Sequence, residues 1–501
     1  MAPSSSGSCR GFPEVPLIRI TCAAFLAIAV ALGSSRSLLA DELPDLGDAA
    51  RVDLSPQLEH KIGERIFNDI RLHEASYVDD PDISDYVNLL GGRLVAASSN
   101  PAGSFQFFVI RDNTINAFAM FGGFIGVNTG TLLTAQSESE LAGVLAHEIS
   151  HVTQSHLARQ MAREKQSSIA TMIAMAVGVL AARSNSQVAS AAIASAQAGS
   201  IQAQLAYSRD FEREADRFGF QTMIKAGYDA RGMGDFFGRM QQAGRVYENN
   251  APVYMRSHPL TVERISDMES RAQNVPYRQV AGSLDFHLVR ARLRVQMGSS
   301  GEAAGEFSRQ LREKKFASEA GSRYGLAYAL LKAKDVVAAQ KEVDALLALK
   351  VSSPMIAGLA AETRAAGGDR AGALNIYRSA LQRFPQSRAL AYGYADALLA
   401  GRQYDEALRF LDSELQLYSS DYKLYGLQAK TFAALGKRLQ QHRAQAESYF
   451  LLGQLGPAVE QLQFAQQSGD GNFFEQSQVD ARLREMRKLQ LEEAKEKKNG
   501  G

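Results

Sequence analysis

The sequence predicts a mainly α protein with one small β-sheet, built as a mixed N-terminal domain followed by an α-solenoid. Three observations carry this. An apolar helical pattern runs from Leu141 through His151, three short β-like runs precede it, and alanines recur every 34 residues in the C-terminal half.

At 501 residues the chain has room for two or three domains, and a formal net charge of +1 gives no basic excess for nucleic acid. In the N-terminal stretch, Arg10 and Arg19 precede an apolar run from Ile20 to Leu32, which ends in Leu38-Leu39-Ala40-Asp41. This is the layout of a secretory signal, with cleavage expected after Ala40 and export as its consequence. An uncleaved anchor is the alternative, against which the short run counts. Both cysteines, Cys9 and Cys22, lie in that leader, so the mature chain would have no thiol for disulfides or metal ligation. The division that follows is 1–40 signal, 41–270 first domain, 271–283 linker, 284–480 repeats and 481–501 charged tail.

Ser55-Pro56 and Pro81 each start a helix, with apolar faces at Leu58, Ile62 and Ile66, and at Ile83, Val87, Leu90 and Leu94. Strands are expected over Phe105–Ile110, Thr114–Met120 and Phe124–Val127, separated by Asp112-Asn113 and Gly122-Gly123. Ser137-x-x-Glu140 is a capping box that opens the next helix. That helix carries His147-Glu148-Ile-Ser-His151. Four residues apart, the two imidazoles sit about 6 Å apart along one helix face and can share one Zn²⁺. Glu148, one step round, can serve as general base toward a zinc-bound water attacking a peptide bond. A sheet edge just before such a helix can pair with an extended peptide.

A site of this kind needs a third ligand, and a carboxylate from a later helix is a standard solution. Glu212 fits, with Asp216 on the same face behind it and bonding a ligand imidazole or the catalytic machinery. Glu214, rotated about 200° from Glu212, should point elsewhere. His60, His73, His156, His287 and His442 read as surface or packing histidines, His156 being rotated away from the ligand face. Residues 157–206 are rich in Ala, Ser, Gln and Met, with an uncharged patch from Ile169 to Ala182. Helical cover over the site is expected there, with peripheral membrane or unfolded-client contact as the alternative.

In the C-terminal half, Ala327, Ala361 and Ala395 are spaced by 34, as are Ala339, Ala373 and Ala407. This is the tetratricopeptide period, with small residues where helices touch. Ala446 and Ala458 keep the intra-unit spacing but fall out of phase, so the array is expected to be irregular.

Taken together, Asn116-Ala-Phe-Ala-Met120, Gly126-Val-Asn-Thr-Gly130, His147 to His151, Tyr207 to Glu212 with Asp216, and His258-Pro259 with Arg264 carry a specific resemblance. The chain resembles the periplasmic β-barrel assembly-enhancing proteases, zinc metalloproteases with a zincin-like domain and a tetratricopeptide tail. Their wider relatives include CaaX-processing and heat-shock zinc proteases. The resemblance implies one Zn²⁺ per chain on His147, His151 and Glu212, with Glu148 as base and Asp216 in a proton-donor position. It implies that His258 and Arg264 lie near the metal, His258 as oxyanion stabiliser or fourth ligand, and that Asn116, Ala117 and Phe118 line the substrate strand. Implied partners are unfolded or misassembled outer-membrane proteins and, through the repeats, their assembly machinery. One departure stands out: Phe121 occupies a position where relatives commonly carry proline. The rival reading is a chaperone or scaffold whose metal site is latent or structural, and a weaker one is a general periplasmic peptidase.

Overall fold

The protein is described from a computed structural model, over residues 55–164, 209–246, 253–278 and 280–499. The leader and the apolar 169–182 patch lie outside the described residues.

Helices α1 (Pro56–His73) and α2 (Pro81–Ala97) begin where expected, each with proline in the first turn. Ser55 and Asp80 cap them by accepting from the backbone amides of Leu58, and of Asp82 and Ile83. The sheet follows as β1 (Gln106–Ile110), β2 (Ala117–Ala119) and β3 (Phe124–Asn128), in the order β1-β3-β2. β3 runs parallel to β1 and antiparallel to β2, which leaves β2 at an edge. β2 is shorter than the Thr114–Met120 run because Thr114 is spent in a turn, its amide donating to Asp112 Oδ1. Phe121 is buried in a single 3₁₀ turn, and Gly122 and Gly123 then take φ of 67° and 87° to re-enter the sheet.

After α3 (Thr129–Thr134) comes α4 (Glu138–Thr153), which carries the paired histidines and is buried along nearly all its length. Ser137 caps it through the Glu140 amide. The Glu140 carboxylate reaches past the cap to the amide of Gln136 and takes an ion pair from Arg239. A short α5 (His156–Glu164) follows, then α6 (Arg209–Lys225), α7 (Gly232–Val246), α8 (Val253–Ser257) and α9 (Val262–Gln273). α6 lies directly on α4, and Gly219 permits the approach. A Cβ there would sit 3.0 Å from the backbone nitrogen of His147.

From α10 (Leu284–Met297) and α11 (Ser300–Glu313) onward the chain is a stack of helix pairs: α12 (Glu319–Lys332) with α13 (Val336–Ala348), α14 (Pro354–Ala366) with α15 (Arg370–Arg383), α16 (Arg388–Ala400) with α17 (Tyr404–Leu417), α18 (Tyr422–Ala434) with α19 (Arg438–Leu451), and α20 (Leu455–Gln467) with the long α21 (Phe473–Asn499). All six alanines of the 34-residue series are completely buried. The helices are more regular than the alanine phase suggests. First helices starting at Glu319, Pro354, Arg388, Tyr422 and Leu455 stay 33–35 residues apart, so the irregularity lies only in which helical position carries the small residue.

The repeats share a core with the motif helix. Phe286, Leu288, Val289 and Leu293 of α10 pack in one apolar cluster with α2 and α4. The Ser283 cap of α10 is tied to Glu138, the first residue of α4, by contacts of 2.6 and 2.9 Å. Further along, the acidic start of α2 receives Arg292 on Asp80, the backbone amide of Arg388 on Asp85, and Lys423 on the preceding Asp79.

Candidate metal centre

The centre is built where α4, α6 and the turn after α8 meet. Helical spacing puts His147 and His151 on one face of α4, and Glu212 approaches from α6. His258 follows α8, its amide donating to Tyr254 O and its ring stacked on Tyr254 at 4.5 Å between centroids. His147, Glu148, His151, Glu212 and His258 are each 0–1% exposed.

The donor atoms converge. His151 Nε2 lies 3.0 Å from His147 Nε2, which in turn lies 3.3 Å from His258 Nδ1. Glu212 Oε1 is 2.9 Å from His258 Nδ1 and 3.5 Å from His151 Nε2, while its Oε2 is 3.5 Å from His147 Nε2. A tetrahedron with metal–ligand bonds of about 2.0–2.1 Å has edges of about 3.3 Å. Separations of 2.9–3.5 Å bracket that length, and one donor atom from each of the four side chains lies within 4.8 Å of the others, so the cluster suits one shared dication. Glu148 is buried with neither carboxylate oxygen accepting a hydrogen bond, and its Oε1 lies 3.6 Å from His258 Nε2. A buried carboxylate in that state needs a cation or a water as partner.

Behind the ligands stands a charged support. Arg264 Nε and Nη2 donate to Asp216 at 2.6 and 2.7 Å, and its Nη1 donates to Pro259 O. The same Nη1 lies 2.7 Å from Glu212 Oε2, close enough for an ion pair but off the axis of a hydrogen bond. Asp216 Oδ1 is 3.0 Å from His147 Nδ1, likewise an ion-pair distance with poor alignment. Burial alone would favour neutral His147, but the Asp216 and Glu212 carboxylates outweigh it and push the ring up to about 9. His151 goes the other way, held well below its ordinary value by burial and by the neighbouring His147. Burial would raise both carboxyls, yet His258 and His147 hold Glu212 down, and His147 and Arg264 hold Asp216 down. Carboxylates that draw a proton onto a buried imidazole would equally draw a dication, with release of that proton.

Of the residues singled out from sequence, His147, Glu148, His151, Glu212, Asp216, His258 and Arg264 come together at this one place. Asn116, Ala117 and Phe118 sit at the start of the edge strand. The Asn116 and Ala117 side chains are buried, and the Phe118 ring covers Gly126 and packs against Phe108. The Asn116 backbone is itself engaged, its amide donating to Thr131 Oγ1 and its carbonyl accepting from the Asn128 amide and the Thr131 hydroxyl. His156 is a buried, hydrogen-bonded histidine outside the donor group, as expected, but its orientation away from the ligand histidines needs correction. It is completely buried with Nδ1 2.9 Å from His151 Nδ1 and Nε2 3.2 Å from Glu214. Extrapolating the helical wheel of α4 past Thr153 fails because the helix ends there and Ser155 takes φ of 51°, which turns His156 back toward the ligands. Glu214 does point away from the donor cluster, as its rotation on α6 requires. His60, His73 and His442 have local partners remote from the centre, in Gly122, Asp69 and Gln461.

Comparison with known proteins agrees with this geometry. Residues 84–272 match the model of Peptidase family M48, and residues 365–430 match a tetratricopeptide repeat model. A Vibrio cholerae relative is 35% identical over 444 residues, 88% of this chain and 91% of that one. The β-barrel assembly-enhancing protease of Escherichia coli strain K12 is 31% identical over 453 residues, 90% of this chain and 92% of its own. The mitochondrial metalloendopeptidase OMA1 of Schizosaccharomyces pombe is 30% identical over 185 residues, 37% of this chain and 51% of its own, so that likeness is partial. A buried His-Glu donor cluster, an M48 match across it and relatives aligned over nine-tenths of the chain lead to one conclusion: the chain belongs to the β-barrel assembly-enhancing proteases, metallopeptidases that join an M48 domain to tetratricopeptide repeats.

Proposed function

We propose that the protein is a zinc endopeptidase of the periplasm that acts on unfolded or misassembled outer-membrane β-barrel proteins. The observation that carries the zinc reading is the convergence of His147, His151, Glu212 and His258, with donor atoms within 4.8 Å of one another, beside a buried, hydrogen-bond-free Glu148. When bound there, zinc supplies Lewis acidity toward a peptide carbonyl and acidifies water near neutral pH. In this reading His147, His151 and Glu212 hold the metal, and Glu148 removes the proton of the attacking water and delivers it to the departing amine. Arg264 fixes Asp216, which orients His147. The outer edge of β2, an edge strand among the described residues, pairs with the client as an added strand. We assign residues 41–270 to the peptidase and 284–480 to the repeats, which dock clients or their assembly machinery, with 1–40 as export signal.

His258 Nδ1 takes the fourth vertex of the donor set, which favours a latent arrangement in which the imidazole must leave before substrate enters. That supports a scaffold contribution by the repeats while the site is closed. A Glu148→Gln variant separates the two activities. Retained zinc with proteolysis reduced by roughly 10²–10⁴-fold supports the base assignment. Undiminished cleavage by that variant would refute it.

A further inference from the structure

We propose that His156 is a positioning residue for the metal ligand His151, holding its ring through an imidazole–imidazole hydrogen bond anchored on Glu214. The inference rests on reading His151 as a ligand through Nε2, the nitrogen that faces His147 and Glu212. A ring that offers its Nε2 lone pair to a metal must carry its proton on Nδ1. His151 Nδ1 lies 2.9 Å from His156 Nδ1, so His151 donates and His156 accepts. The proton of His156 is thereby placed on Nε2, which donates to Glu214 Oε2 at 3.2 Å. Arg159 Nη1 donates to the same oxygen at 2.9 Å. With Nε2 of His151 given to the metal, every donor in this chain meets an acceptor.

The His156 ring is also clamped, stacked on Phe211 at 4.6 Å and 13° between planes. Arg159 covers the same Phe211 ring at 4.6 Å. The arrangement parallels the support of the other ligand, where Asp216 faces His147 Nδ1 and is gripped by Arg264. One stretch of α6 therefore supplies the ligand Glu212 and a carboxylate for each imidazole, each backed by an arginine. Asp216 is about 40° from Glu212 on the helix and reaches His147 directly. Glu214 is about 200° from Glu212, and an intervening imidazole bridges the distance to His151.

Partners of this kind typically contribute 10–100-fold to metal affinity. The test is zinc affinity of the full chain, measured by competition with a chromophoric chelator, for wild type, His156→Phe, Glu214→Leu and the double variant. His156→Phe keeps a ring on Phe211 and should weaken zinc by roughly 10–100-fold. Glu214→Leu should weaken it less, and the double variant no more than His156→Phe alone, because both act through one chain of bonds. A purely structural role would lower the melting temperature of metal-free protein and leave zinc affinity unmoved. Affinity of His156→Phe within twofold of wild type, or losses that simply add, would overturn the proposal while leaving the ligand set standing. Failure of wild type itself to bind zinc would remove the ligand assignment and the proposal with it. Should His156→Phe not fold, ¹⁵N spectra of histidine-labelled, zinc-loaded wild type decide: His151 protonated on Nδ1 and His156 on Nε2 is required, and any other pair of tautomers contradicts it.

Discussion

Arg264→Met should be among the most damaging single changes in the peptidase half. The guanidinium is 4% exposed and makes two contacts to Asp216, one to Pro259 O and one to Glu212 Oε2, all between 2.6 and 2.9 Å. Methionine fills much of the same volume, so the loss is electrostatic rather than a cavity. Two buried carboxylates and one carbonyl would be left without their cation. Stranding one member of a buried ion pair costs about 3–5 kcal/mol, and Arg264 serves two acids, so the upper end is expected for metal-free protein. Zinc would offset part of the uncompensated charge on Glu212, so the loaded protein should lose less. The chain has no tryptophan, and urea unfolding is best followed by circular dichroism. Adding Asp216→Asn should restore part of the stability, since the amide no longer strands a charge. A metal-free loss under about 1 kcal/mol, or no recovery in the double variant, would refute this electrostatic account.

Other consequences can be measured independently. Burial raises the Asp82 carboxyl to about 7 from 3.8, against the pull of nearby Arg292 and with the push of Asp80. A carboxyl whose folded pKa is raised supports the fold below about pH 4 and withdraws that support as pH climbs to about 7, at up to roughly 1.4 kcal/mol per unit. Urea midpoints should therefore contain a falling contribution between pH 4 and 7, and Arg292→Met, by removing the charge that pulls the carboxyl down, should carry that fall to higher pH. A fall that ends at the same pH in that variant contradicts the assignment. Gly219→Val would force α6 off the His147 backbone, costing roughly 1–3 kcal/mol and lowering zinc affinity together, as melting and chelator competition would show. Ala395→Leu, at a fully buried repeat position, should cost about 1–3 kcal/mol with zinc affinity unchanged, and a neutral result would argue against close repeat packing there.

How much of this was legible in the sequence depends on whether the information was local. The α4 ligands and the Glu212–Asp216 pair follow from helical spacing, because 3.6 residues per turn fixes which side chains share a face. Ser137 as a cap and the buried alanines follow from equally local rules. His258 and Arg264 have no such signature. They come from a turn and a helix start far along the chain, and only the family resemblance pointed to them. A wheel projection misplaces the His156 ring because it assumes an unbroken helix, whereas the backbone reverses at Ser155. A His three residues past a helix end, facing an acid on the partner helix, is the kind of signal that spacing rules overlook. The packing of α10 into the peptidase core was equally illegible, since its apolar residues look the same whether they face a repeat or the motif helix.

X-ray absorption at the zinc edge, on protein carrying stoichiometric metal, bears most directly on the central claim. Two imidazoles and one carboxylate at about 2.0–2.1 Å are required, with a third imidazole when His258 is engaged and no sulfur. Loss of that signal in His147→Ala would complete the match. A sulfur-containing shell, a shell of oxygen alone, or an unchanged spectrum in His147→Ala would contradict it.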